Sequence, residues 1–274
     1  MAVTTEAPPP PANPDAQLAQ ARAKIDSVDA ALLSLIGERG EAVAALATAK
    51  DPNGSPLRPA REAALLRRLL AQAPQGVEPE TLIWVWRGLI AASIRKQKPI
   101  EVIAAGGHDA VRHLELARLH FGPSAKITRD SDVRSALSRV AAANNKDVAA
   151  VAPWPGSSGP GMWWPVLTEG RFQGLSVVAM LPMRGEPEAA LVTAGAPLEP
   201  SGANDHTLIV GFDQRFRLDK AMAEAGVQGR LLARANASVL VQADGFLAPH
   251  EDRFKALQAA GLDGARVVGA FSPL

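Results

Sequence analysis

A run of thirty-odd residues, from about Ala16 to Lys50, carries apolar side chains at the spacing of one continuous helix. With about 100° per residue and Ile25 taken as zero, Leu18, Val28, Leu32, Ile36, Val43 and Leu46 all fall within roughly 60° of it. They form one stripe on a helix about 50 Å long, whereas the second and third helices of the chain reach roughly 20 to 30 Å each. A single copy would leave part of the stripe bare. The cover that the sequence offers is a second copy of the same helix packed antiparallel along the first, which predicts an interlocked homodimer.

Two cations interrupt this stripe. Arg39 lies about 40° and Lys50 about 20° to one side of its centre, about three turns apart. Charged residues rarely occupy a buried face unless they are paired. Arg22 falls near the other edge, about 100° around from Arg39, so the two cannot easily serve one pocket from one straight helix. In the interlocked dimer, Arg22 of one chain enters the pocket that holds Arg39 and Lys50 of the other. The second helix opens on LRPARE, which presents Arg58, Arg61 and Glu62, with Glu favoured there by the helix dipole. The third closes on SIRKQ, where Ser93 and Gln97 are four apart and share a face. Such a set has no nucleophile with an activating base, no His pair and no metal cluster. It suits a bound polyanion, with one carboxylate left for a hydroxyl. Arg58, Arg67, Arg68 and Arg95 read as surface charge, and His108, His113 and His120 as structural or exposed.

Composition excludes several classes. A formal charge of +1 gives no global field for nucleic acid, and the absence of cysteine removes disulfides, thiolate chemistry and Cys-containing zinc sites. No apolar run is long enough to span a membrane. The start, MAVTTEAPPPPANP, has neither the basic opening nor the apolar stretch of a signal peptide and reads as a disordered Pro-rich tail, so a cytoplasmic protein is expected. No cofactor is called for.

Turn signals at DPNGSP (51 to 56) and APQGVEP (73 to 79) divide residues 16 to 98 into three helices. From Pro99 the texture alternates: strands at EVIAA, AKITRD, DVAAVAPW, LSVVAML, AALVTAG and HTLIVGF, helices at HDAVRHLELARLHFG and SDVRSALSRVAAAN. A last unit runs helix (LDKAMAEAG), strands (RLLARA, SVLVQADGF), helix (EDRFKALQAA), strand (ARVVGAF). The expected organisation is a tail over 1–15, an all-α three-helix domain over 16–98, an α/β region over 99–212 and a small α+β unit over 213–274.

The helical part resembles the all-helical class of chorismate mutase. The family pattern is matched by R22AKIDSVD29, L35IGER39, K50, R61E62 and S93IRKQ97. The resemblance implies chorismate as substrate and its [3,3] rearrangement to prephenate, without covalent or acid/base catalysis. It further implies that Arg39 and the other chain's Arg22 bind the two carboxylates, that Lys50 and Gln97 hydrogen-bond the ether oxygen, and that Glu62 takes the ring hydroxyl. Ser93 would take a carboxylate, with Arg61 beside it. One departure is the connection over 51–60, a residue short, with Pro59 where the family often has Asp.

The region 101–212 is similar, more weakly, to prephenate dehydratase, through D132VRSAL and DVAAVAPWPGSSGPGMWWPVL. A second lobe is missing between LVTAG and NDHTLIVGF, and the family's Thr-Arg-Phe signature falls on Thr207, Leu208 and Ile209, so no dehydratase activity is expected. The tail resembles the second half of an ACT-type regulatory domain, with LARA (232 to 235) nearest to its ligand motif. That makes a small-molecule effector at the C-terminal region a candidate partner. The Trp-rich stretch 153–165 reads as a cap on the α/β core rather than a recognition loop. Two alternatives to the mutase stand: a ligand-sensing or partner-binding protein with a vestigial pocket, and a bifunctional mutase and dehydratase.

Overall fold

The computed structural model describes residues 14–48, 54–143 and 147–274; residues 1–13 of the expected tail and Lys50 lie outside them. The chain divides into two compact units, residues 1–50 and 51–274. In the first, a single helix, α1 (Pro14–Thr48), runs for 35 residues with Asp15 in its first turn, where the helix dipole favours an anion. Its apolar stripe is exposed: Leu18, Ile25, Val28, Leu32, Ile36 and Leu46 keep between 42% and 58% of their surface open to solvent.

Among its described residues, the second unit is built on one mixed sheet of nine strands. In chain order these are β1 (Glu101–Ala105), β2 (Lys126–Asp130), β3 (Val148–Pro153), β4 (Leu175–Leu181), β5 (Ala189–Ala194), β6 (His206–Phe212), β7 (Gly229–Ala235), β8 (Ser238–Asp244) and β9 (Asp263–Phe271). Across the sheet they run β2-β1-β3-β5-β4-β9-β6-β8-β7. The first three are parallel, joined by the crossover helices α4 (Ala110–Phe121) and α5 (Val133–Ala142), as parallel pairing requires. Asp132 caps α5 by accepting from the N–H groups of Arg134 and Ser135. Both α2 (Pro59–Gln72) and α3 (Pro79–Gln97) begin on a proline, which suits a position where no backbone donor is needed. Two more helices, α6 (Leu218–Glu224) and α7 (Asp252–Ala259), back the far half of the sheet.

Alternation along the strands assigns the layers. Val102 of β1 and Ala149 and Val151 of β3 point to the face that holds Leu57, Leu66, Ile90 and Ile94 of the α2–α3 segment and Leu116 of α4. Ile103, Ala105, Ala150 and Ala152 point to the opposite face, with Leu137 of α5 and the buried Trp163 and Trp164. Those two indoles donate to Pro153 O at 2.8 Å and Gly156 O at 2.9 Å, so the Trp-rich stretch is a cap on the core.

This arrangement differs from a string of separate domains. The second and third helices share a core with the α/β body, because their apolar faces close over the sheet. Residues 213–274, expected as a small α+β unit, add three strands to the same sheet, and β9 lies between β4 and β6. β4 and β9 meet in parallel at Val177 and Gly269, where a Cβ on Gly269 would lie 2.4 Å from the Val177 carbonyl oxygen. The close approach of the two backbones demands glycine. Gly269→Ala is therefore expected to destabilise the protein by about 2 kcal/mol or more, read as a lower urea midpoint, since overpacking of this kind costs about 1 to 3 kcal/mol even where side chains yield. Among the described residues, no helix is long and apolar enough to cross a membrane.

Candidate active site

The expected site residues fall on three helices. On α1, Arg22 is exposed and Arg39 is partly buried; burial lowers the Arg39 guanidinium from its ordinary value, although it keeps its proton at any physiological pH. Seventeen residues of helix separate the two by about 25 Å, so one copy of α1 does not bring them together. Lys50 lies outside the described residues.

The packed helices α2 and α3 carry the rest. Arg61 is exposed at the opening of α2. Ser93 donates to Leu89 O at 2.7 Å and Gln97 donates through Nε2 to Ser93 O at 3.2 Å, each partly buried one turn apart on α3. Glu62 is buried at 7% exposure and its carboxylate pairs with Arg87 of α3. Its Oε1 also accepts the Arg58 backbone N–H at 3.4 Å. The structure thus gives Glu62 a buried cation as partner, where the sequence reading left the carboxylate for a substrate hydroxyl.

Arg87 escaped the sequence reading. It is 3% exposed, and besides Glu62 it donates through Nε (3.2 Å) and Nη2 (2.6 Å) to the carbonyl of His120 in the last turn of α4. That carbonyl has no partner within its own helix, so the guanidinium serves as a C-terminal cap. The signal was present: Arg87 is a lone cation inside ETLIWVWRGLIAAS, the same anomaly that singled out Arg39. Three of the arginines read as surface charge also prove to be ties. Arg58 forks onto Glu199 at 2.8 and 2.6 Å, Arg67 donates to Pro273 O and to Ser201, and Arg95 donates to Phe121 O at 2.9 Å. Arg68 is exposed.

His113 is buried against Ala105 O at 2.6 Å, and among the described residues no group of His, Cys, Asp and Glu could hold a metal ion. His120 is buried, and burial, reinforced by Arg87, holds its imidazole well below the usual histidine range.

Three arginines at 22, 39 and 61, a hydroxyl at Ser93 and an amide at Gln97 thus lie on a long helix and a packed helix pair. Residues 21–98 match the family model described as chorismate mutase type II. The match spans the three helices and ends one residue beyond α3. The search of curated proteins gave no match. Among solved structures, a prephenate dehydratase from Streptococcus mutans aligns at 13% identity over 64% of this chain and 100% of that one, with a TM-score of 0.44. A prephenate dehydratase from Arthrobacter aurescens, in complex with L-Phe, aligns at 14% identity over 63% of this chain and 90% of its own, with a TM-score of 0.45. A third, titled as GqqA, a novel type of quorum quenching acylases, aligns at 17% identity over 63% and 95%, with a TM-score of 0.42. At such distances neither activity nor ligand transfers to this chain. The segment that matches the mutase model and the α/β body therefore stand on different footings.

Two outcomes follow from the buried ion pair and its neighbour. Arg87→Leu leaves Glu62 as an uncompensated buried anion and is expected to cost about 3 to 5 kcal/mol in urea unfolding, with Glu62→Leu added to it recovering part of that loss. His120 binds its proton more readily unfolded than folded, so stability is expected to fall as pH drops below about 6.5, by up to about 1.4 kcal/mol per unit. Unfolding curves at pH 7.5, 6.5 and 5.5, compared with His120→Gln, isolate that slope.

Proposed function

We propose that the chain is a chorismate mutase that works as a homodimer, each pocket drawing Arg39, Lys50, Arg61, Glu62, Ser93 and Gln97 from one chain and Arg22 from the other. The observation that carries this reading is the match of residues 21–98 to the mutase family model over the segment in which every one of those positions is filled. Support for the second copy comes from α1, whose apolar stripe lies open along its length. A helix with such a face is stable in water only when that face is covered.

Rearrangement of chorismate to prephenate is unimolecular. No proton has to leave and no covalent intermediate forms, so residues that hold and polarise are sufficient. In the proposed pocket the arginines fix the two carboxylates and hold the enolpyruvyl arm over the ring, an orientation effect. Lys50 and Gln97 place a cation and an amide where charge builds on the breaking C–O bond. Glu62, shared with Arg87, keeps lone pairs that can still accept from a ring hydroxyl.

Dehydratase activity is not part of this reading. Thr207, where the dehydratase signature would begin, is fully buried in β6; its hydroxyl donates to Gly245 O at 2.9 Å and accepts from the Leu247 N–H at 2.8 Å. Leu208 and Ile209 are core residues on opposite faces of the strand.

The test is a chorismate consumption assay on the full chain, with prephenate and phenylpyruvate measured separately. Prephenate is expected to accumulate and phenylpyruvate to be absent; Lys50→Ala should lower kcat by about two to three orders of magnitude. Arg22→Ala and Arg39→Ala should each be nearly inactive alone, yet unfolded and refolded together they should regain about a quarter of wild-type activity, because half of the dimers then hold one intact pocket. Untouched chorismate with a folded dimer would sink the proposal, and phenylpyruvate formation would establish a second activity.

A further inference from the structure

Away from the mutase positions, a cavity of about 760 Å³ opens between the first half of α3, the end of α4 and the segment that follows β4. Its walls are apolar: Ile83, Trp84, Leu116, Leu119, Leu181 and Met183. At the mouth Trp84 is 65% exposed and Leu119 51% exposed, a large unprotected aromatic and aliphatic surface for a position with no role in the proposed reaction. Glu80 and Arg184 also border the cavity and form an ion pair with each other. Thr81 donates its hydroxyl to Glu78 at 2.8 Å.

Two residues of the wall, both with little exposed surface, keep hydrogen-bonding capacity that the protein does not use. Arg87 has five N–H donors. Three are taken, by Glu62 and twice by the His120 carbonyl, which leaves two. The His120 ring packs edge-on against Phe121 and makes no hydrogen bond among the described residues, at 4% residue exposure. An imidazole with no protein partner among the described residues, its nitrogens facing the cavity, beside two spare guanidinium donors at the inner wall of an apolar recess marks where a ligand's polar end belongs. The volume lies within the range of small-molecule sites, and an apolar lining with a few convergent polar groups is their usual composition.

We propose that this cavity is a second ligand site, taking a hydrophobic small molecule with one hydrogen-bond acceptor, a carboxylate or an amide carbonyl, at its inner end. The apolar body lies against Trp84, Leu119 and Met183; the acceptor reaches Arg87 and His120. A cationic end group is rejected, because it would sit beside the guanidinium. Since Arg87 also holds Glu62 and the end of α4, an occupant there touches the same side chain that positions one member of the mutase set.

The test is calorimetric titration of the full chain with 4-phenylbutyrate, 4-phenylbutyramide and 4-phenylbutylamine, three probes that share a body and differ in the end group. The acid and the amide are expected to bind with Kd between about 0.1 and 1 mM, as befits ligands of a dozen heavy atoms, and the amine at least about tenfold more weakly. Trp84→Ala and Leu119→Glu, both at exposed positions that the fold tolerates, should each weaken the acid by about tenfold, while Leu231→Ala on the remote strand β7 should not. The proposal is overturned if none of the three probes binds, if the amine binds as well as the acid, or if binding survives both mouth substitutions. It is equally overturned if Trp84→Ala dissociates a dimer in sedimentation, which would make the groove an interface between copies. None of these outcomes depends on chorismate turnover.

Discussion

One buried guanidinium organises the helical side of the molecule. Arg87 stands on α3, neutralises Glu62 of α2 and closes the end of α4 by binding the His120 carbonyl. Arg95, two turns further along α3, does the same for Phe121 O. The last carbonyls of a helix must find donors outside it. Here they find them on a neighbouring helix, which fixes α3 along α4 and, through α4, onto the sheet. The apolar contacts of Leu66, Ile90 and Ile94 would permit several sliding positions; the charged ties select one.

That geometry ties two chemistries together. The helix pair α2–α3 supplies four of the expected mutase positions and is also one wall of the α/β body. In the proposed enzyme, the part of the pocket drawn from these helices is held rigidly by a large sheet, while the part drawn from α1 is held by whatever covers its stripe. Preorganised electrostatics needs fixed dipoles and charges, and the buried pair under Glu62 is one means of fixing them. The desolvation cost of that pair is substantial, so its retention in a core that could have been apolar points to position rather than stability as its use.

Much of the local structure was legible in the chain. LSVVAML and HTLIVGF give β4 and β6 at the residues expected, and the helix over 218–226 and the strand over 265–271 appear within two residues of their sequence limits, because alternation and turn residues act locally. Strand order was not legible. Nothing near Ala265–Phe271 announces that β9 inserts between β4 and β6, since pairing partners are separated by most of the region. The packing of α2 and α3 was hidden for a related reason: their apolar faces look the same whether they close a helical bundle or cover a sheet. For the candidate site, position and spacing single out the expected residues on α2 and α3, but the role of Arg87 required knowing that Glu62 turns inward.

The seam at Val177 and Gly269 has a further implication for how the chain is made. Among the described residues five strands lie on one side of it and four on the other, and β9, the strand that joins them, follows the other eight in the chain. Until it arrives, β4 presents an open edge of Leu, Val, Ala and Met residues, and β6 lacks one of its two neighbours. An unpaired edge of that composition is a template for the wrong strand. The nascent protein therefore passes through a window of vulnerability that closes only when β9 seats, and the glycine that lets that strand seat tightly also ends the exposure.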